Sequence, residues 1–174
     1  MSQEFAIRPV SPYAFALPGL ALVAAAAGVI VVMYRGDPKV AWVFPIMLLS
    51  AGLITSILRR RRVSLEDGVL TVAAGFNTRR VGIGEIDVDG ARIVDLAEHT
   101  SLKPALKVMG SSLPGYNAGH FRLRDRSKAF LLLSSRSRVL VLPEKNGAKL
   151  LLSLERPQAL LDALQRVAER RPAR

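Results

Sequence analysis

Two long stretches near the N-terminus contain no charged residue, and they constrain the fold more than any other feature. The first runs from Tyr13 to Tyr34, 22 residues of which 19 are apolar. The second runs from Val40 to Leu58, 19 residues of which 14 are apolar. A bilayer core about 30 Å thick requires roughly 20 helical residues. The pattern therefore predicts two transmembrane helices, at residues 13–34 and 40–58, joined by a turn at residues 35–39.

Two other interpretations of these stretches are less favourable. A 22-residue helix that is apolar on all sides is hard to bury in the core of so small a protein. A cleaved signal peptide would have a shorter apolar region, and the sequence after it, residues 35–39, lacks a small-residue cleavage pattern. Neither stretch contains an ionisable residue, which a transport pathway usually needs. The hairpin is therefore predicted to be an anchor.

The charges predict how the hairpin is oriented. The chain has 25 Lys and Arg against 14 Asp and Glu, a net charge of +11, which suggests an anionic membrane or nucleic acid as a partner. Arg8 in the tail and the four arginines Arg59, Arg60, Arg61 and Arg62 after the second helix make five cations, against Arg35 and Lys39 on the turn. The positive-inside rule then places both termini in the cytoplasm, with residues 1–12 as a cytoplasmic tail. The basic juxtamembrane run 59–62 is predicted to contact anionic phospholipid headgroups.

The rest of the chain alternates like a β-protein and ends in a helix. Asp67-Gly68 between alternating apolar runs predicts a hairpin. Seven or eight short antiparallel strands follow in all, with residues 102–117 irregular, and Arg156 to Arg170 carries the apolar stripe of an amphipathic helix. The fold class is therefore α+β: two transmembrane helices, then a β-domain at residues 63–170. This domain is a bent sheet or open barrel capped by the helix, and residues 171–174 form a tail.

No catalytic, cofactor or metal site is predicted. The chain has no Cys, which excludes disulfides, a Cys nucleophile and a Cys-ligated metal together. His99 and His120 have no further ligands at metal-binding spacing. No nucleophile elbow or phosphate-binding loop is present. We therefore expect a protein that is not an enzyme and that uses no cofactor.

Several segments resemble the bacterial pleckstrin-homology-like (PH-like) domains. The most specific is the stretch with Gly110, Pro114-Gly115-Tyr116, Gly119 and Phe121. The segments 129–133, 139–142 and 152–158 are also similar, so that the resemblance covers roughly residues 61–167. It implies two orthogonal sheets capped by a C-terminal helix. It also implies a non-catalytic role, often behind a pair of membrane helices.

The basic residues of the domain suggest what it contacts. Eukaryotic relatives bind phosphoinositides beside the first hairpin, but here that turn is acidic, Glu66-Asp67-Gly68. Arg79 and Arg80 are predicted to face the membrane surface. Arg122, Arg124 and Arg138 could share one outer face for a partner or lipid. Nucleic acid is not expected, because the neighbouring Phe121 and Phe130 point into the predicted core rather than outward for base stacking.

These observations favour an interaction or scaffold module on the cytoplasmic face of the bacterial inner membrane, with an unidentified protein partner. The alternatives are a sensor of anionic lipid or of membrane state, and an accessory subunit of a larger membrane complex.

Overall fold

A computed structural model describes residues 3–10, 13–35 and 42–169. These residues form three α-helices, α1 (Tyr13–Tyr34), α2 (Val43–Arg59) and α3 (Pro157–Glu169), and ten strands. The strands are β1 (Gln3–Phe5), β2 (Arg61–Glu66), β3 (Val69–Ala74), β4 (Asn77–Gly82), β5 (Arg92–Val94), β6 (Pro104–Leu113), β7 (Tyr116–Leu123), β8 (Lys128–Leu133), β9 (Val139–Pro143) and β10 (Lys149–Leu152).

The two N-terminal helices coincide with the charge-free stretches of the sequence. α1 has the same bounds as the first stretch, whereas α2 begins at Val43, after the start of the second. Most of the turn predicted at residues 35–39, and the tail at 171–174, lie outside the described residues. Within the ranges that the structure describes, no helix is both long enough and apolar enough to cross a membrane.

The first sheet packs one face on the core. Its four strands are antiparallel in the order β1-β2-β3-β4. Val63, Leu65, Leu70 and Val72 alternate with more exposed residues and are buried against the second sheet. Asp67 and Gly68 both adopt positive φ in the β2–β3 turn, as the two central residues of a tight hairpin require. The hairpin predicted from Asp67-Gly68 is therefore present.

The first ten residues belong to the domain rather than to a free tail. Glu4 pairs with Ser64 across β1 and β2, and Ile7 bridges to Leu154. The backbone N–H of Arg8 donates to the Ser153 carbonyl at 3.2 Å. The description of residues 1–12 as a tail is corrected here for residues 3–10. A three-residue strand at the edge of a sheet carries too little periodicity to be seen in the sequence.

The second sheet is covered on both faces. Its order is β5-β9-β10-β8-β7-β6, and β8 and β10 are parallel. A sheet buried on both sides explains the continuous apolar runs of β8 and β9. Phe130 faces the core between the sheets, whereas Phe121 faces a second cluster under residues 94–102. The prediction of one bent antiparallel sheet with seven or eight strands is therefore wrong in number and in the β8–β10 pairing.

β6 is the longest strand and lies where an irregular segment was predicted. Its glycine Gly110 faces Gly119 of β7, with φ values of 148° and 114°. A Cβ on Gly119 would lie 2.4 Å from the carbonyl oxygen of Met109. The two glycines let β6 and β7 approach closely and bend together, and Gly115 with φ 76° turns the chain between them. The glycines of the family-like segment thus have a structural reason.

The C-terminal helix caps the core, as predicted. Leu160, Leu161 and Leu164 of α3 are buried among residues of both sheets, and Ile83 and Ile86 belong to the same cluster. Gln158, Asp162 and Gln165 are exposed on the opposite side. Two packed sheets with a helix on one end are the architecture that the sequence resemblance implied.

Candidate binding surfaces

The arginines after α2 have different surroundings. Arg59 ends α2, and its side chain lies outside the described part of the structure. Arg60 is exposed, and its carbonyl accepts a hydrogen bond from the Gly75 N–H at 2.9 Å. Arg61 is half-buried and reaches the Arg8 carbonyl with Nη1 at 3.5 Å. The predicted basic run is therefore not one uniform cationic surface.

Arg62 forms an exposed ion pair with Glu4. Its Nε and Nη2 donate to the two carboxylate oxygens at 2.9 and 3.0 Å. This hydrogen bonding lowers the pKa of Glu4 and raises that of Arg62. The pair joins β1 to β2 across the outer face of the sheet, so Arg62 is partly neutralised as a membrane contact.

We call the end of the domain nearest the helices the hairpin base. Phe76, 69% exposed, lies in the β3–β4 turn next to Gly75, which hydrogen bonds to Arg60. Arg8 donates from Nη1 to the Ser135 and Ser137 hydroxyls at 3.2 and 3.3 Å. The β8–β9 turn, which carries the exposed Arg136 and Arg138, is thereby held against the segment that leads into α1.

Arg79 does not lie on a membrane-facing surface but in a buried ion pair. Its Nη2 lies 2.7 Å from Oε2 of Glu144, whose side chain is only 1% exposed. Asn146 Nδ2 donates to the same oxygen at 3.0 Å. Glu144 Oε1 and Arg79 Nε are buried without a hydrogen-bond partner. Arg80, the next residue, is exposed on the outer face of β4.

The pair lies beside a cleft of about 730 Å³, which we call the Glu144 cleft. His120 lines it and meets the Phe130 ring edge-on, with centroids 4.9 Å apart. Burial, and then the charge of Arg79, lower the pKa of His120, so its imidazole is neutral at pH 7. Exposed Val108 and Met109 of β6 form an apolar wall, and Arg122 lies at the rim.

A larger cleft of about 1010 Å³ lies on the opposite face of the second sheet. We call it the basic groove, because the cations Lys103, Lys107, Arg124 and Arg136 line it and no acidic residue does. Hydroxyls and an amide from Ser112, Ser134, Ser135 and Asn117 also line it. Among the residues described, no carboxylate lies within ion-pair distance of these four cations. The nearby Asp125 is paired with Lys149 instead.

The three arginines expected on one face are separated. Arg122 lines the Glu144 cleft, and Arg124 lines the basic groove. Arg138 is in the turn after β8, while Arg122 is opposite Lys128 at the start of that strand. A six-residue strand is about 20 Å long, so Arg138 lies far from the other two.

Sequence reasoning did not single out Lys103, Lys107 or Glu144. The first two flank the start of β6, which was not predicted, so nothing placed them beside Arg124. Glu144 carried one signal, because it is an acidic residue directly after the buried strand β9. In the described part of the chain, no three His, Asp or Glu side chains are close enough together to hold a metal ion.

The comparison with protein families now agrees with the fold. A family model described as Bacterial PH domain matches residues 61–168, and the chain belongs to this family. Searches of the curated proteins and of the solved structures found no match. PH domains are in general binding modules that contact lipids or proteins rather than catalysts.

Proposed function

We propose that this protein is a non-catalytic interaction module held at the cytoplasmic face of the bacterial inner membrane by the α1–α2 hairpin. The observation that carries the proposal is the surface of the hairpin. Large apolar side chains are exposed on both helices, including Leu20 and Val23 on α1 and Leu48 and Leu49 on α2, at 67 to 75%. Water would make such a surface costly, whereas lipid or apolar protein would stabilise it.

The polar groups of the hairpin fit the same proposal. The hydroxyl of Ser50 donates to the Ile46 carbonyl at 2.7 Å, and that of Thr55 donates to the Ala51 carbonyl at 2.8 Å. Each hydroxyl is satisfied inside its own helix, as an apolar environment requires. No charged residue interrupts the two helices before Arg59.

Membrane fractionation tests the anchor. We expect the full chain to sediment with membranes and to resist an alkaline carbonate wash. The variant Leu48→Glu/Leu49→Glu, which places two charges on the exposed face of α2, should be released. The matched variant Arg92→Glu/Lys145→Glu changes two exposed residues of the β-domain and should stay in the membrane. Release of the unaltered chain by carbonate would refute the anchor.

The interaction role has a separate test. Cross-linking in native membranes, followed by capture of the full chain, should recover one partner in a defined ratio. That partner should also be captured by the Arg92→Glu/Lys145→Glu control. A monodisperse protein with no cross-linked partner would contradict the proposed interaction role.

The hairpin base favours a second candidate, a sensor of anionic lipid. Phe76 and Arg60 place an exposed aromatic ring and a cation beside the end of α2. Such a pair suits the interface between headgroups and water. In a Trp42→Phe background, the emission of a Phe76→Trp variant should shift to shorter wavelength when phosphatidylserine replaces phosphatidylcholine. Equal emission in both lipids would exclude the sensor.

A further inference from the structure

We propose that the basic groove binds an extended acidic segment of a protein partner. This inference rests on the proposed interaction role and assigns that role a location and a ligand chemistry. Lys103, Lys107, Arg124 and Arg136 come from four separate segments of the chain, and the fold brings them around one concavity. Like charges gathered without a carboxylate partner repel one another, and an anionic ligand would relieve this repulsion.

The size of the groove argues against a small anion. At about 1010 Å³ it lies at the upper limit of the 300–1,000 Å³ that is usual for small-ligand sites. Its floor includes the buried apolar side chains of Leu96, Phe121 and Leu133. A ligand that fills it therefore has apolar groups as well as negative charges, which describes a peptide segment better than a phosphate ion.

The direction of the groove argues against a bilayer surface. One end, at Ser135 and Arg136, adjoins the hairpin base, because Arg8 bonds to Ser135. The other end is at Lys103 and Arg124, where the Arg124 N–H donates to the Lys103 carbonyl at 3.0 Å. β8 separates the two ends, a length of about 20 Å. A headgroup layer only about 5–8 Å thick could not reach both ends at once.

Hydrogen bonding along the walls suits a peptide as well. Ser112 and Asn117 lie opposite each other in the β6–β7 ladder, and the Ser112 hydroxyl donates to the Asn117 amide oxygen at 2.8 Å. Both line the groove, so the amide N–H₂ of Asn117 can donate to a ligand carbonyl. Fixed polar groups beside mobile cations would align a main chain whose side chains carry the negative charge.

A binding assay with a defined probe tests the inference. The full chain in nanodiscs of phosphatidylcholine is titrated with a fluorescent peptide of about eight residues that alternates Glu and Ser, long enough to span the groove. The control peptide alternates Gln and Ser. We expect the Glu peptide alone to raise the anisotropy, with an affinity that falls as salt increases.

Charge reversal locates the site. Lys103→Glu/Arg124→Glu should weaken binding of the Glu peptide by about tenfold or more, equivalent to about 1.4 kcal/mol. Arg92→Glu/Lys145→Glu changes the net charge equally outside the groove and should change the affinity by less than about twofold, since screened charges at a distance contribute little. If the first variant does not fold by circular dichroism, Lys107→Glu/Arg136→Glu replaces it.

Three outcomes would overturn the inference. They are equal binding of the Glu and Gln peptides, equal loss in the groove and control variants, and binding only to nanodiscs that contain phosphatidylserine. Each of these leaves the carbonate and cross-linking results unaffected, so the proposed interaction role can stand while the groove is rejected. Conversely, a chain that binds the peptide through the groove but has no partner in membranes would contradict the proposed role alone.

Discussion

Gly119 shows at the scale of a single residue how this domain depends on close backbone approach. Its φ of 114° is unfavourable for any side chain, and a Cβ there would lie 2.4 Å from the Met109 oxygen and 2.7 Å from the Gly110 Cα. We expect Gly119→Ala to lower the free energy of unfolding by more than about 3 kcal/mol, because strain and overlap add. Urea unfolding followed by circular dichroism measures the change.

A second glycine separates the two causes. Gly147 also has positive φ, 83°, but a Cβ there meets no atom within 4 Å. Gly147→Ala should therefore cost only the backbone strain, about 1–2 kcal/mol. Equal losses in the two variants would show that the contact between β6 and β7 is not the cause.

The buried pair of Arg79 and Glu144 predicts an asymmetry between its two partners. Arg79→Met leaves the carboxylate of Glu144, 1% exposed, without its cation, and should cost about 3–5 kcal/mol. Glu144→Gln should cost less, about 1–3 kcal/mol, because the guanidinium of Arg79 is 32% exposed and can still reach water. Denaturant unfolding of both variants gives the comparison.

The double variant completes this test. In Arg79→Met/Glu144→Gln no charge remains to be left unpaired, so the loss should be smaller than the sum of the two single losses. Additive losses would mean that the two side chains act independently. Glu4→Gln, which breaks an exposed pair with Arg62, is the control and should have a smaller effect than either.

Residues of the candidate sites were predictable only where their neighbours were. Arg124 follows an alternating strand and was identified as exposed, which it is. Its partners Lys103 and Lys107 are near in space because β6 pairs with β7, and the sequence did not indicate β6. Glu144 meets Arg79 across 65 residues, a contact that depends on how the two sheets pack. Local patterns carry no information on such distances.

At the scale of elements, regular patterns identified regular structure. The β2–β3 hairpin has alternating apolar residues around Asp-Gly, and α3 has an apolar stripe at helical spacing. β6 escaped because it lacks alternation. It begins with Pro104, contains Gly110 and has register shifts near residues 105 and 108. Tertiary pairing with β7, rather than local preference, makes it a strand.

The helix α3 should stabilise the domain through a few buried side chains. Leu164 is fully buried in the core between the sheets. Leu164→Ala should lower the free energy of unfolding by about 2–5 kcal/mol, because it removes apolar contact and leaves a cavity. Gln165→Ala, on the exposed side of the same helix, should change it by less than about 0.5 kcal/mol. Thermal unfolding of the two variants would show whether α3 caps the core, and equal effects would contradict it.

At the scale of the whole molecule, β1 joins the two ends of the hairpin. The chain passes from β1 into α1 and returns from α2 into β2, and β1 and β2 pair antiparallel. The ion pair of Glu4 with Arg62 and the bonds from Arg8 to the Ser135 and Ser137 hydroxyls fasten the same two segments. The N-terminal residues and the β-domain must therefore lie on one side of any barrier that the hairpin enters.

This pairing leads to a prediction about topology that does not use the charges. In sealed spheroplasts, epitope tags at both termini of the full chain should be protected from added protease and become accessible together when the membrane is opened. The positive-inside rule gives the same result from Arg8 and the arginines 59–62. The two arguments separate in the variant Arg59→Ser/Arg60→Ser, which lowers the charge bias but leaves β1 and β2 paired. If the strand pairing constrains the chain, the two tags stay on one side in this variant. Accessibility of one tag without the other would mean that β1 is not paired with β2 in the membrane-bound protein.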